Sequence, residues 1–204
     1  MPVPDRRAAA GALLALDPGP RFIAHASAVA EVAAFIAARI EVRGGRLERP
    51  LVEAAALLHD VDKLLPRDDP VRLLGHGHGT ARWLTERGFA ELAPVVASHP
   101  VGRLADDAAY GELMDGPPEP RLVAYADKRA AQRLQPMHAR FDRWRRRHPD
   151  SLEFLELAWP RALELERVVC AAAGLEPSEV RRLRWTRHAL ATARGTVATR
   201  EGAP

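Results

Sequence analysis

Apolar residues recur every third or fourth position along most of this chain, the spacing of one buried helix face. Phe22, His25, Val29, Val32, Ala33, Ile36 and Ile40 share such a face, so a helix is expected from Arg21 to about Ile40 with His25 turned inward. The segment EVRGGRLERP then breaks the pattern with two glycines, charges and a proline. Pro50 suits the first turn of the next helix, which carries Leu51, Ala54, Ala55 and Leu58 and delivers His59 near its C-terminal end. DKLLPRDDPVRLLGHGHG, rich in glycine and proline, reads as a loop. Two short helices are expected next. One runs from about Thr80 to Arg87 and is closed by Gly88. The other, about Ala90 to Ser98, aligns Leu92, Val95, Val96 and His99 before Pro100 ends it.

GRLADDAAYGELMDGPPEP is long and polar, and is expected to be a lid or insertion beside a site. Helical periodicity resumes near Glu119 and Pro120. It takes in Leu122, Val123, Ala126, Ala130 and Leu134, with Asp127 next to the apolar stripe. RFDRWRRRH reads as the solvated face of a basic helix. Two further helical stretches follow, about Ser151–Ala173, interrupted or kinked at Pro160, and about Ser178–Ala193. ARGTVATREGAP reads as a frayed tail. No internal repeat and no useful β alternation is present, so the fold class is all-α. The expected division is an N-terminal extension or helix over 1–20, a core over 21–135, C-terminal helices over 136–194 completing the same domain, and a tail over 195–204.

Composition narrows the classes. A chain of 204 residues suits one domain and can bury most of its apolar surface. The single cysteine, Cys170, makes no intrachain disulfide and reads as a buried structural thiol. The N-terminal MPVPDRRAAAGALLALDPGP has two arginines and a small apolar run, but that run stops at Asp17-Pro18 without a cleavage signal, so a surface helix is expected. No stretch offers the roughly 18 consecutive apolar residues of a membrane span. A cytoplasmic location without a membrane partner is the expectation. The net charge of +3 is small and argues against nucleic acid as a partner. RFDRWRRRH and EVRRLRWTRH keep a helical nucleic-acid binder as the third-ranked reading. Against an Arg-rich background the only lysines are Lys63 and Lys128, each close to an acid, Asp60 or Asp127.

The informative feature is an ordered series: His25, then His59-Asp60, then His76, His78 and His99, then Asp127. Taken singly, each has a bland explanation. An inward histidine is usually a satisfied core residue, and a His-Asp pair at a helix end is commonly a cap. His138, His148 and His188 lie on basic or exposed segments and are given no role. Taken together, imidazoles and carboxylates carried by four helices can converge on one point, a usual place for a metal site in a bundle. Such donors suit a divalent ion, Mn, Fe, Co, Ni or Zn, with Mg possible.

These residues also carry a resemblance. His25, His59-Asp60 and Asp127 in that order resemble the H…HD…D signature of the HD-domain phosphohydrolases, and AAALLHDVDK resembles the LLHDIGK element of the HDIG subgroup. HASAVAEVAAFIA, HGHGTARWL, VVASHPVG and RLVAYADKRA are similar to further family segments, so the likeness spans about residues 21 to 134. It implies an HD-domain helical bundle with additional C-terminal helices and one or two divalent ions. His25, His59, Asp60 and Asp127 would hold one ion. His76 and His99, with Asp60 bridging, would hold a second. Two departures stand out: Asp62 replaces the usual Gly, and Ser98-His99-Pro100 offers one histidine where the family allows a tandem pair. Asp62 is either a partner orienting a ligand histidine or a loop residue.

The implied activity is metal-dependent hydrolysis of a phosphate ester or anhydride, with a nucleotide as substrate and a dinucleoside polyphosphate as first specific candidate. Asp60 would bridge the ions and Lys63 would stabilise the transferring phosphoryl group. His78 would be the general acid, and Lys128, Arg129 and Arg133 would bind further phosphates. The competing reading is a regulatory module that binds metal and nucleotide without turnover.

Overall fold

The computed structural model describes residues 3 to 201, with side chains described as far as 195. Those residues form eleven α-helices joined by short 3-10 turns, with no β-strand among them. The helices are α1 (Arg6–Leu14), α2 (Pro20–Val42), α3 (Arg49–Leu58), α4 (His78–Glu86), α5 (Ala93–Ala97), α6 (Gly102–Ala105), α7 (Asp107–Asp115), α8 (Pro118–Arg129), α9 (Met137–Arg147), α10 (Leu152–Ala173) and α11 (Thr186–Glu201). The all-α expectation holds.

At the centre lies α2. Its residues 26 to 34 are buried without a break, on every face of the helix, which is the pattern of a core helix rather than a surface one. Six alanines in that stretch and just beyond it (Ala26, Ala28, Ala30, Ala33, Ala34, Ala37) let neighbouring backbones approach closely. It packs against α3, α8, α10 and α11. On length and mean hydropathy α2 also meets the requirement for crossing a membrane, so the expectation that no segment would do so needs amending. Its burial in the bundle and its buried Glu31 mark it as a core helix. Glu31 accepts hydrogen bonds from Arg182 (2.8 Å) and Thr186 (2.6 Å), and its backbone carbonyl accepts from the Leu183 amide (3.1 Å).

Three stretches depart from the sequence expectation. GRLADDAAYGELMDGPPEP forms α6 and α7 instead of an irregular lid. Asp106 caps α7 by accepting from the Ala109 amide at 2.7 Å, Leu104, Ala109 and Leu113 are buried, and Arg161 of α10 holds the Leu104 carbonyl and Asp107. The helix expected to reach Leu134 ends at Arg129, because Ala130 is extended and pairs with Leu134 as an isolated bridge. The last helix begins at Thr186 rather than near Ser178, after a turn over Pro177–Glu179, and runs on to Glu201, into the stretch expected to trail as a tail. Residues 202–204 lie outside the described residues. Pro160 does not interrupt α10, which runs continuously from Leu152 to Ala173 and closes on left-handed Gly174.

Candidate metal centre

Five elements converge at one end of the core. α2 contributes His25, and the C-cap of α3 contributes His59 with Asp60 directly after it. His76 comes from the loop before α4, His99 from the turn after α5, and Asp127 from the last turn of α8. His59, Asp60, His99 and Asp127 are buried, while the His76 side chain is 36% exposed. The six residues expected as metal ligands therefore meet.

Their arrangement is specific. One carboxylate oxygen of Asp60, Oδ2, lies 3.4 Å from His25 Nε2 and 3.5 Å from His59 Nε2. The other, Oδ1, lies 3.3 Å from both His76 Nε2 and His99 Nε2. Asp127 Oδ1 stands 3.5 Å from His25 and 3.8 Å from His59. Two groups of donors able to hold an ion thus share Asp60: His25, His59 and Asp60, and Asp60, His76 and His99.

The far side of each ring fixes its proton. His25 Nδ1 donates to the Ala131 carbonyl (2.9 Å), His59 Nδ1 to the Ala56 carbonyl (2.8 Å) and His99 Nδ1 to the Val96 carbonyl (2.5 Å). Because a carbonyl can only accept, each neutral ring keeps its lone pair on Nε2. His76 Nδ1 lies 3.0 Å from Asp62 Oδ2 and is set the same way. The Nε2 atoms then face each other in pairs, 3.2 Å apart for His25 and His59 and 3.0 Å for His76 and His99. Two lone pairs at such distances repel unless a proton or a metal cation stands between them. Asp60 Oδ1 is buried and has no hydrogen-bond partner. The donor set fits one or two divalent ions with imidazole and carboxylate ligands.

Electrostatics agree with that reading. Burial pushes the His59 pKa down to about 3, aided by neighbouring His99 and His25 and opposed by Asp60. Burial likewise lowers His99, although Asp60 would accept a hydrogen bond from its protonated ring. His25 moves upward: burial disfavours its charge, but the hydrogen bond its protonated ring would make to Asp60 and the field of Asp127 outweigh it. Burial alone would raise both carboxylates. The histidines around Asp60, and Lys128 and Arg140 beside Asp127, nevertheless hold both well below the usual range, so both are ionised.

Asp62 is an orienting partner. Besides His76 it accepts from the Gly77 amide (3.0 Å), so it fixes both the ring and the turn that carries it. Lys63 Nζ lies 2.8 Å from Asp60 Oδ2, is half exposed and lines the adjoining cavity. The other cationic expectations change. Lys128 is completely buried, spends its ammonium on the His99 carbonyl and Asp127, and does not line the cavity. Arg129 is buried on the other side of α8, where it bonds Tyr125, Glu166 and the Gln135 and Pro177 carbonyls. Arg133 is exposed in the turn after α8, so it does not follow Asp127 at helical spacing. His78 is exposed at the start of α4 and does not line the cavity.

One cation at the cavity escaped the sequence reading. Arg140, the first residue of RFDRWRRRH, turns inward from α9 to within 3.4 Å of Asp127 Oδ1 and lines the same cavity. Its Nε is buried without a partner. The only signal in the sequence was position. Arg140 lies one residue before Phe141, which is fully buried, so the inward face of that basic helix began beside it.

A family model for the HD domain matches residues 22–132. This chain belongs to the HD domain family, within the metal-dependent phosphohydrolase superfamily, and its His/Asp cluster has the composition of that family's metal site. No curated protein matches the chain, and no solved structure does.

Proposed function

We propose that this protein is a hydrolase of phosphate esters or anhydrides, acting on a nucleotide. The observation that carries the proposal is the position of Asp60. Its two oxygens each face one pair of imidazole Nε2 atoms, and the cluster opens onto a cavity of about 210 Å³ that also holds Lys63 and Arg140.

Bound divalent ions would supply Lewis acidity and a water acidic enough to attack at neutral pH. The rest is done by the chain. Lys63 offers a mobile point charge, and Arg140 a planar fork, to the oxygens of a phosphoryl group seated against Asp60 and Asp127. Lys128, behind Asp127, keeps that carboxylate ionised and in place. Both a mononucleotide and a dinucleoside polyphosphate present such a phosphoryl group, and both belong in a first substrate panel.

The presence of His59-Asp60 and Asp127 together supports turnover over the binding-only reading. The test is phosphate release from that panel with Mn, Fe, Co, Ni, Zn and Mg in turn. Release that disappears in Asp60→Ala is expected. A metal-loaded protein that releases no phosphate from any member would overturn the proposal in favour of a regulatory module.

A further inference from the structure

The family match stops at residue 132, yet about half of the cavity's lining residues come later in the chain. Trp144 and His148 come from α9 and its end, and Ser151 and Phe154 from the turn into α10. Pro100 and Val101, just after His99, also line it. The lining is therefore of two kinds. Lys63, Asp127 and Arg140 are charged, while Trp144, Phe154, Pro100 and Val101 are apolar. Arg140 joins the two, since its guanidinium stacks 4.7 Å above the Trp144 ring while its Nη2 reaches Asp127.

We infer that Trp144 and Phe154 form a selectivity wall that seats one planar ring of a phosphorylated substrate while its phosphate lies at Lys63 and Arg140. This inference rests on the hydrolase reading for the chemistry but not for the binding. Three observations support it. Aromatic faces and a stacked arginine are surfaces on which flat rings bind, largely without regard to hydrogen-bond pattern. His148 and Ser151 supply polar groups beside those rings, where a sugar or the ring edge needs partners. The charged residues and the aromatic ones line one and the same cavity of about 210 Å³, so a single ligand can meet both.

The test compares adenosine monophosphate with the ribose phosphate that lacks its base. Affinity is read by calorimetry on the purified protein, and phosphate release is followed separately. The wild-type chain should bind the ring-bearing ligand more tightly. Trp144→Ala and Phe154→Ala should each weaken it by about tenfold, the scale of losing one base-stacking side chain, and leave ribose phosphate unchanged. Trp144→Phe should restore the affinity while removing the quenching of tryptophan fluorescence that the ligand causes. Equal wild-type affinity for both ligands, including none for either, would overturn the inference. So would variants that bind as the wild type does, or variants that lose both ligands alike. Ring-dependent binding without phosphate release would defeat the hydrolase reading and leave the wall standing. Phosphate release indifferent to the ring would do the reverse.

Discussion

Asp62 shows how one substituted position acquires a task. The HDIG element that this segment resembles has glycine there, and an aspartate two residues from Asp60 adds negative charge beside a site already rich in it. The charge is tolerated because His76 Nδ1 and the Gly77 amide both point at it. Space is made by Gly79, where a Cβ would come within 3.1 Å of Asp62 Cβ and 2.7 Å of the Val71 carbonyl oxygen. His76 is the most exposed of the ligand histidines and has the least packing to hold it, so its orientation depends on this carboxylate. Asp62→Ala is expected to weaken metal binding at the His76–His99 group by roughly 10–100-fold and to spare the His25–His59 group. Titration of the metal-depleted variant with Mn or Zn, followed by calorimetry, would separate the two steps. At this scale the sequence was most legible for the six ligands, because their order along the chain constrains them jointly. It was least legible for cations. Helical spacing places Lys128, Arg129 and Arg140 on helices, but which side of α8 or α9 faces the cavity depends on tertiary packing.

Among the elements, the break at the end of α8 matters most. Ala130 and Leu134 lie four apart, which reads as continued helix, yet they face each other across a tight turn. The turn presents the Ala131 carbonyl to His25 Nδ1, so the departure from helix fixes the tautomer of a ligand. Arg129 holds the turn closed. Its Nε donates to the Gln135 carbonyl, and its Nη atoms donate to Glu166, Tyr125 and the Pro177 carbonyl. Read from sequence as a phosphate binder, it is a clamp joining α8, α10 and the turn before α11. Arg129→Ala should cost about 3–5 kcal/mol, as for loss of one partner from a buried ion pair, seen as a lower denaturant midpoint at unchanged slope. Arg129→Lys should recover little of it, since one ammonium cannot serve four acceptors spread around a fork. The hidden helices α6 and α7 were missed for a related reason. The four residues of α6 are too few to show a period, and the Asp106 cap that starts α7 is one aspartate among several.

For the whole molecule, the site sets how stability varies with pH. His59 has its pKa pushed down to about 3, against about 6.5 in an unfolded chain. As pH falls below about 6.5 the unfolded chain takes up a proton that folded His59 refuses, so the metal-free protein loses stability progressively until pH nears 3. His99 acts in the same sense. Asp60 and Asp127, both depressed, contribute stability above the usual carboxylate range that disappears as pH drops through their folded values. His25, raised, works the other way: its contribution is present in acid and is lost as pH rises through its folded value. The melting temperature of metal-free protein should therefore fall between pH 7 and pH 4, and His59→Gln should flatten that fall. Protons and metal compete for the same Nε2 atoms, so the metal-loaded protein should show the steeper loss.

The proposed metal centre gathers four imidazoles and two carboxylates from five separate elements around Asp60. Its most direct test is elemental analysis of wild-type and Asp60→Ala protein after incubation with a divalent ion and desalting, with circular dichroism confirming that both are folded. The account predicts that the wild-type chain retains one or two ions and that the variant retains none. A folded wild-type chain that retains no ion, or an Asp60→Ala chain that retains as many, would contradict it.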